Sequence, residues 1–314
     1  MASPGTIVLN TFFGCISAVT IVGNLLAIAV FVKDGKLRST GDVYILNLAV
    51  ADLMVGAISM PFTIAENVIG YWPLSQTFCK AWLLVDFTAC SESVLSMVLI
   101  SFDRYLQIVK PHKHRAKTFR MKVVLLAITW ILAFLMYGPA IILWDVLTGV
   151  SPIKVNRCEA DFPLRSAAYT FAMSFTEFVV PFGLLSYLYA QVYWHAIRWF
   201  RRRPSSSDGG RGIPTELGKM FHRRLAVNLT ILLLVFFVCW CPYMVGTMVL
   251  SQCATCIDYH SIAFVALDWL LWTNSAINPF LYAYCSPRFR EGASRLLPKC
   301  CRTQTTGHIS PQPV

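Results

Sequence analysis

Long apolar runs, each about the length of a membrane crossing and each broken by a polar or basic stretch, set the rhythm of this 314-residue chain. A helix rising about 1.5 Å per residue needs about 20 apolar residues to cross a hydrocarbon layer of roughly 30 Å. Runs of that length lie near 7–32, 43–69, 79–108, 121–144, 167–198, 222–250 and 259–284. No water at that depth satisfies a backbone amide, so each run must bond within itself and is predicted as a helix. The predicted fold is an all-α membrane protein, a seven-transmembrane helix bundle within residues 1–299. A short cytoplasmic amphipathic helix is expected over about 286–297. The stretch "RRRPSSSDGGRG" predicts a flexible inner loop over 201–220, and 300–314 reads as a disordered tail. The first run starts close to Met1 without a small-residue cleavage site, so it is expected to be retained.

Composition agrees with the pattern. The chain is 56% hydrophobic and only 14% charged, which a soluble domain of this length rarely shows. Basic residues fix the orientation. Lys33, Lys36 and Arg38, the run from Lys110 to Lys122, the run from Arg198 to Arg224 and the residues from Arg288 onward fall in alternate connections, which are therefore predicted to be cytoplasmic. The N-terminus is then expected outside, in a multi-pass plasma-membrane protein. The net charge of +11 lies mostly on the inner face, suits an anionic leaflet or an acidic partner, and gives no reason to invoke nucleic acid.

Acids at membrane depth each need a reason, since insertion costs about 2.5–3.5 kcal/mol at a helix centre. Asp52, Asp86, Glu92, Glu177 and Asp268 are such residues. In the third run Asp86, Cys90 and Ser93 recur at spacings of four and three, which places them on one helix face. Arg104 follows on that face about five turns further in, whereas Glu92 lies about 240° round from Asp86 and points elsewhere. Proline is the second signal. Pro181, Pro242 and Pro279 each remove an intrahelical bond, so bends are expected in three spans, and bends in a bundle make room for cavities. Pro61 and Pro139 are equally well read as packing kinks.

Taken in order, "GNLL" with Asn24, "LNLAVADL" with Asp52, "DRY" at Asp103 to Tyr105, Trp130, Pro181, "FFVCWCPY" and "NPFLY" from Asn278 to Tyr282 form one pattern. It resembles the rhodopsin-like class of seven-helix G-protein-coupled receptors across nearly the whole chain. An aspartate seven residues after Cys79 resembles the amine-binding group of that class. The resemblance implies an ammonium on Asp86, a charge-assisted contact, with Trp240, Tyr243 and Trp272 as aromatic surroundings. A glutamate four residues before Pro181, "LVDFTAC" with Phe87 and Cys90, "WILAFLMYGPAII" and "WLLWTNSAINP" resemble the histamine receptors of the third and fourth subtypes. There the Glu177 position faces the second basic end of the ligand. The chain departs from them at Phe87, at Met244 and at Asp268, which adds a third acid to the pocket rim. Histamine, another amine or a diamine or polyamine, as for trace-amine-like receptors, all remain open.

The same resemblance implies a heterotrimeric G protein of the inhibitory class as partner, with arrestin, and assigns residues to activation. Pro181, Val94 and Phe236 form the connecting core, Trp240 floors the cavity, and Tyr189 and Tyr282 rearrange near Arg104, between Asp103 and Tyr105. His222 stands where many relatives place an acid against the arginine, so ligand-independent signalling is expected. Asp52, Ser93, Asn274 and Asn278 match the sodium site of the class; a hydrated polar network without an ion is the other reading. No other cofactor is expected. Cys79 and Cys158 resemble the class disulfide, Cys253 and Cys256 read as a local disulfide or a free pair, and Cys300 and Cys301 are palmitoylation sites or plain thiols. A transporter is the rival class, but no inverted repeat supports it. No catalytic spacing points to an enzyme, and Trp272 stands where an opsin carries its lysine.

Overall fold

The computed structural model describes residues 4–33, 42–149, 157–201, 213–253, 256, 261–285 and 287–296. Among the described residues eight longer helices run in order, with two short ones, Pro111–Arg115 and Phe162–Arg165, in the connections: α1 (Pro4–Lys33), α2 (Asp42–Met54, then a π turn Val55–Ser59, then Met60–Ile69), α3 (Gln76–Val109) and α4 (Phe119–Thr148). They continue as α5 (Ala167–Ser174, a π turn Phe175–Val179, then Val180–Arg201), α6 (Ile213–Gln252), α7 (Ile262–Cys285) and α8 (Pro287–Leu296). No β-strand occurs among the described residues. Six of these helices, α1 to α6, are apolar and long enough to cross a membrane. The polar residues Asp268, Asn274, Ser275 and Asn278 lower the hydropathy of α7, which is held in the bundle by packing on α1 and α6.

Helix ends follow capping chemistry rather than the limits of the apolar runs. The Ser75 hydroxyl accepts the Phe78 N–H at 3.2 Å, so α3 starts at Gln76 and not at 79. Thr118 does the same for Met121 at 3.3 Å and starts α4 at Phe119. Gly70 and Gly149 end α2 and α4 in the left-handed region (φ 88° and 69°), where a side chain would be strained. The largest difference from expectation is α6. It begins at Ile213, inside the stretch 201–220 expected as a flexible loop, because a helix satisfies its own backbone and need not end at the apolar limit. Residues 202–212, the tail 300–314 with Cys300 and Cys301, and the Tyr282 side chain lie outside the described residues.

The prolines also resolve differently from one another. Helical structure runs unbroken through Pro139, Pro242 and Pro279. Pro61 and Pro181 instead follow π turns, in which the Met60 N–H reaches the Val55 carbonyl and the Val180 N–H reaches that of Phe175. A wider turn relieves the clash between a proline ring and the preceding carbonyls.

Helix α3 is the central post, packed on α2, α4 and α5, and α7 closes the ring against α1 and α6. Large apolar side chains such as Val8, Phe12, Val146 and Leu147 face outward, as a hydrocarbon solvent permits. Polar side chains tie the helices from within. Glu92 is fully buried, and its Oε1 accepts from Asn47 (2.6 Å), Thr129 (3.0 Å) and Ser96 (3.1 Å), linking α2, α3 and α4. Trp130 Nε1 donates to Asn47 Oδ1 at 2.9 Å and completes that tie. At Gly56 the α1 and α2 backbones approach closely. Ser17 Oγ donates to its carbonyl at 2.9 Å, and a Cβ there would lie 2.7 Å from Thr20 Cγ2.

Candidate functional site

A cavity of about 590 Å³ opens between the helices at the end of the bundle that holds Cys158, a volume in the range of small-ligand sites. Asp86, Phe87 and Cys90 from α3, Glu177 from α5, Trp240 and Tyr243 from α6, and Asp268 and Trp272 from α7 all line it. Every residue expected at the ligand pocket is therefore brought together.

The two deep acids differ in their surroundings. Asp86 is 8% exposed and receives the Cys90 thiol at 3.8 Å, with Ser59 and Trp272 beside it. Glu177, 4% exposed, is clamped. The Ser91 hydroxyl donates to its Oε1 at 2.6 Å and the Tyr137 hydroxyl to its Oε2. A carboxylate offers about four acceptor positions, so about two remain for a ligand. Phe87 stacks on Tyr137 with centroids 4.5 Å apart and so fixes the ring that carries this donor. Glu92 is absent from the cavity lining, as its angular position predicts.

Aromatic contacts connect the cavity with the layer below it. Trp240 packs on Phe236 at 5.7 Å, and Phe236 on Phe178 of α5 at 5.7 Å, beside the buried Pro181 and Val94. Tyr243 meets Phe264 at 5.9 Å, and Trp272 meets Trp269 edge-on at 5.3 Å.

Beneath this layer Asp52 is fully buried, with Ser93 Oγ donating to Oδ1 (2.8 Å) and Asn278 Nδ2 to Oδ2 (2.7 Å). Among the described residues the side-chain carbonyls of Asn274 and Asn278 are buried without a hydrogen-bond donor. That oxygen-rich set, with two vacant acceptors, fits the coordination a hard cation seeks. At the end of the bundle opposite the cavity, Asp103 is bridged by His114 (3.4 Å) and Lys117 (3.5 Å), while Arg104 donates to Gln107 at 3.1 Å rather than to Asp103. Tyr105 has the Lys110 ammonium over its ring at 5.9 Å. The Tyr189 hydroxyl pairs with that of Ser101 at 2.7 Å.

At the cavity end of the bundle Cys79 and Cys158 form a disulfide (Cα–Cα 5.5 Å), and Cys253 and Cys256 form another. Cys158 N–H also donates to Glu66 Oε1 at 3.0 Å, which ties the loop to α2. The sequence reading missed Ser91, Tyr137, Trp269 and Glu66. Their types are common in spanning helices, and only the register between helices reveals their role.

Residues 23–282 match the profile of the 7 transmembrane receptor (rhodopsin family). The chain is 31% identical to the histamine H4 receptor of Rattus norvegicus over 88% of this chain and 88% of that one. It is 29% identical to the histamine H4 receptor of Homo sapiens over 95% and 93% of the two chains. It is also 35% identical to the muscarinic acetylcholine receptor M3 of Gallus gallus, over 57% of this chain and 28% of that receptor.

Proposed function

The chain belongs to the rhodopsin family of seven-transmembrane, G-protein-coupled receptors, and from that premise we propose that its ligand is a small amine with two basic ends, histamine or a histamine-like cation. As a member of this family it is a multi-pass plasma-membrane receptor and not an enzyme. The observation that carries the ligand reading is the pair of buried acids, Asp86 and Glu177, lining one aromatic-walled cavity. Asp86 takes an ammonium, for which its thiol contact leaves room. Glu177 takes the second basic group on the acceptor positions its two hydroxyl partners leave free. Charge-assisted bonds in a water-poor site favour such a ligand over a neutral one.

Ligand in the cavity bears on Trp240, and through Phe236 on the α5 core at Pro181, so it biases two packings of the bundle. It contributes only its differential affinity for the two states. The partner is a heterotrimeric G protein, with the inhibitory class favoured by the similarity to the histamine receptors, and arrestin follows. The N-terminus faces outward. The Asp52 centre holds an allosteric sodium ion, with Ser93, Asn274 and Asn278 completing its oxygen set.

The test is agonist response in cells expressing Asp86→Asn and Glu177→Gln at wild-type surface levels. Each should lose about 10-fold or more in potency, as expected for a lost charged partner. An undiminished response in both would sink the assignment.

A further inference from the structure

Asp268 is an acid that the two-ended ligand leaves unused. Among the described residues five acids line the cavity, Glu66, Asp86, Glu159, Glu177 and Asp268, and one base, Arg157. Glu66 and Glu177 are hydrogen-bonded to protein groups. Asp86, more than nine-tenths buried, has the Cys90 thiol at 3.8 Å with Ser59 and Trp272 beside it, and the partly buried Asp268 has no hydrogen bond or ion pair among the described residues. An acid at membrane depth with no cation beside it is expensive unless one arrives to pair it.

Asp86 comes from α3, Glu177 from α5 and Asp268 from α7, and all three face one cavity, Asp268 and Glu177 each within electrostatic range of Asp86. Trp272, beside Asp86, follows Asp268 by one helical turn, which sets Asp268 about 6 Å nearer the outer end of α7. Two ammonium groups joined by three or four methylenes stand about 5–6 Å apart, close to that one-turn rise. The cavity is also several times larger than one small biogenic amine fills.

We propose that Asp268, Asp86 and Glu177 form a row of three cation subsites, so that the preferred ligand class is an aliphatic polyamine with nitrogens three or four carbons apart. This rests on the reading of the cavity as an amine site and narrows its ligand.

The experiment uses the intact receptor in cell membranes with a G-protein activation readout. Histamine, spermidine, putrescine and butylamine are applied to wild type, Asp268→Asn and Asp268→Glu, with surface expression measured in parallel. Spermidine should be more potent than putrescine, and putrescine than butylamine. Asp268→Asn should weaken spermidine by about 10-fold or more and histamine by less than about threefold, and Asp268→Glu should recover spermidine potency. Histamine active with spermidine inactive, a reversed ranking, or equal shifts for both ligands overturns the row of subsites and leaves the amine reading standing. Silence of all four amines on a surface-expressed wild type overturns the amine reading itself. If Asp268→Asn fails to reach the surface, the wild-type ranking and Asp268→Glu decide.

Discussion

Replacing Tyr137 by phenylalanine removes one hydroxyl and little else. The ring keeps its stack on Phe87 at 4.5 Å, so the loss is the hydrogen given to Glu177 Oε2. Glu177 is only 4% exposed, so water replaces that donor poorly. Hydrogen bonds between neutral groups on membrane helices average about 0.6 kcal/mol and reach about 1.7. A bond to a charged acceptor contributes about 1.5–3 kcal/mol. Ser91 still holds the other oxygen, so the expected loss is one bond, about 1–2 kcal/mol, rather than collapse of the clamp. Equilibrium unfolding in mixed micelles measures it, read from labelling of the buried thiols Cys90 and Cys239. In a Glu177→Gln background the same change should cost less, with a coupling energy of about 0.5 kcal/mol or more. A saturating two-ended amine should narrow the gap, because its own N–H can occupy the vacated acceptor. Additive effects, or a Tyr137→Phe receptor as stable as wild type, would refute the reasoning.

Gly56→Val places a Cβ 2.7 Å from Thr20 Cγ2 and should force α1 from α2, costing about 1–3 kcal/mol in the same unfolding assay; wild-type stability would show that the approach is not constrained. Wild type should signal without ligand, since Arg104 donates to Gln107 and not to Asp103. His114→Ala with Lys117→Ala should lower that basal signal by turning Asp103 toward Arg104, and a basal signal that stays the same or rises counts against this. Sodium chloride, compared with choline chloride at equal ionic strength, should shift agonist affinity in wild type and not in Asp52→Asn; identical salt responses would remove the ion from the Asp52 centre.

The apolar runs are long enough to announce seven helices, and Ser75 and Thr118 stand in the sequence as the caps that start α3 and α4. The start of α6 was less visible. Its first turns are polar, and hydropathy is blind to a helix that continues into water. Prolines say that a bond is missing but not how the chain accommodates the loss, so the π turns before Pro61 and Pro181 and the unbroken helices at Pro242 and Pro279 look alike in sequence. The acids of the site were legible because carboxylates are rare at membrane depth. Ser91 and Tyr137 were not, since a hydroxyl is ordinary there and becomes a clamp only through the register of α3 and α4 against α5.

The bond from Cys158 N–H to Glu66 bears on time rather than on affinity. With the disulfide to Cys79 it fastens the loop to two helices at one point. The cavity roof at that point then does not swing aside freely, which narrows the way in and out of the cavity. A loop pinned in this way slows arrival and departure together, so the receptor would hold each bound amine for long dwell times without any gain in equilibrium binding.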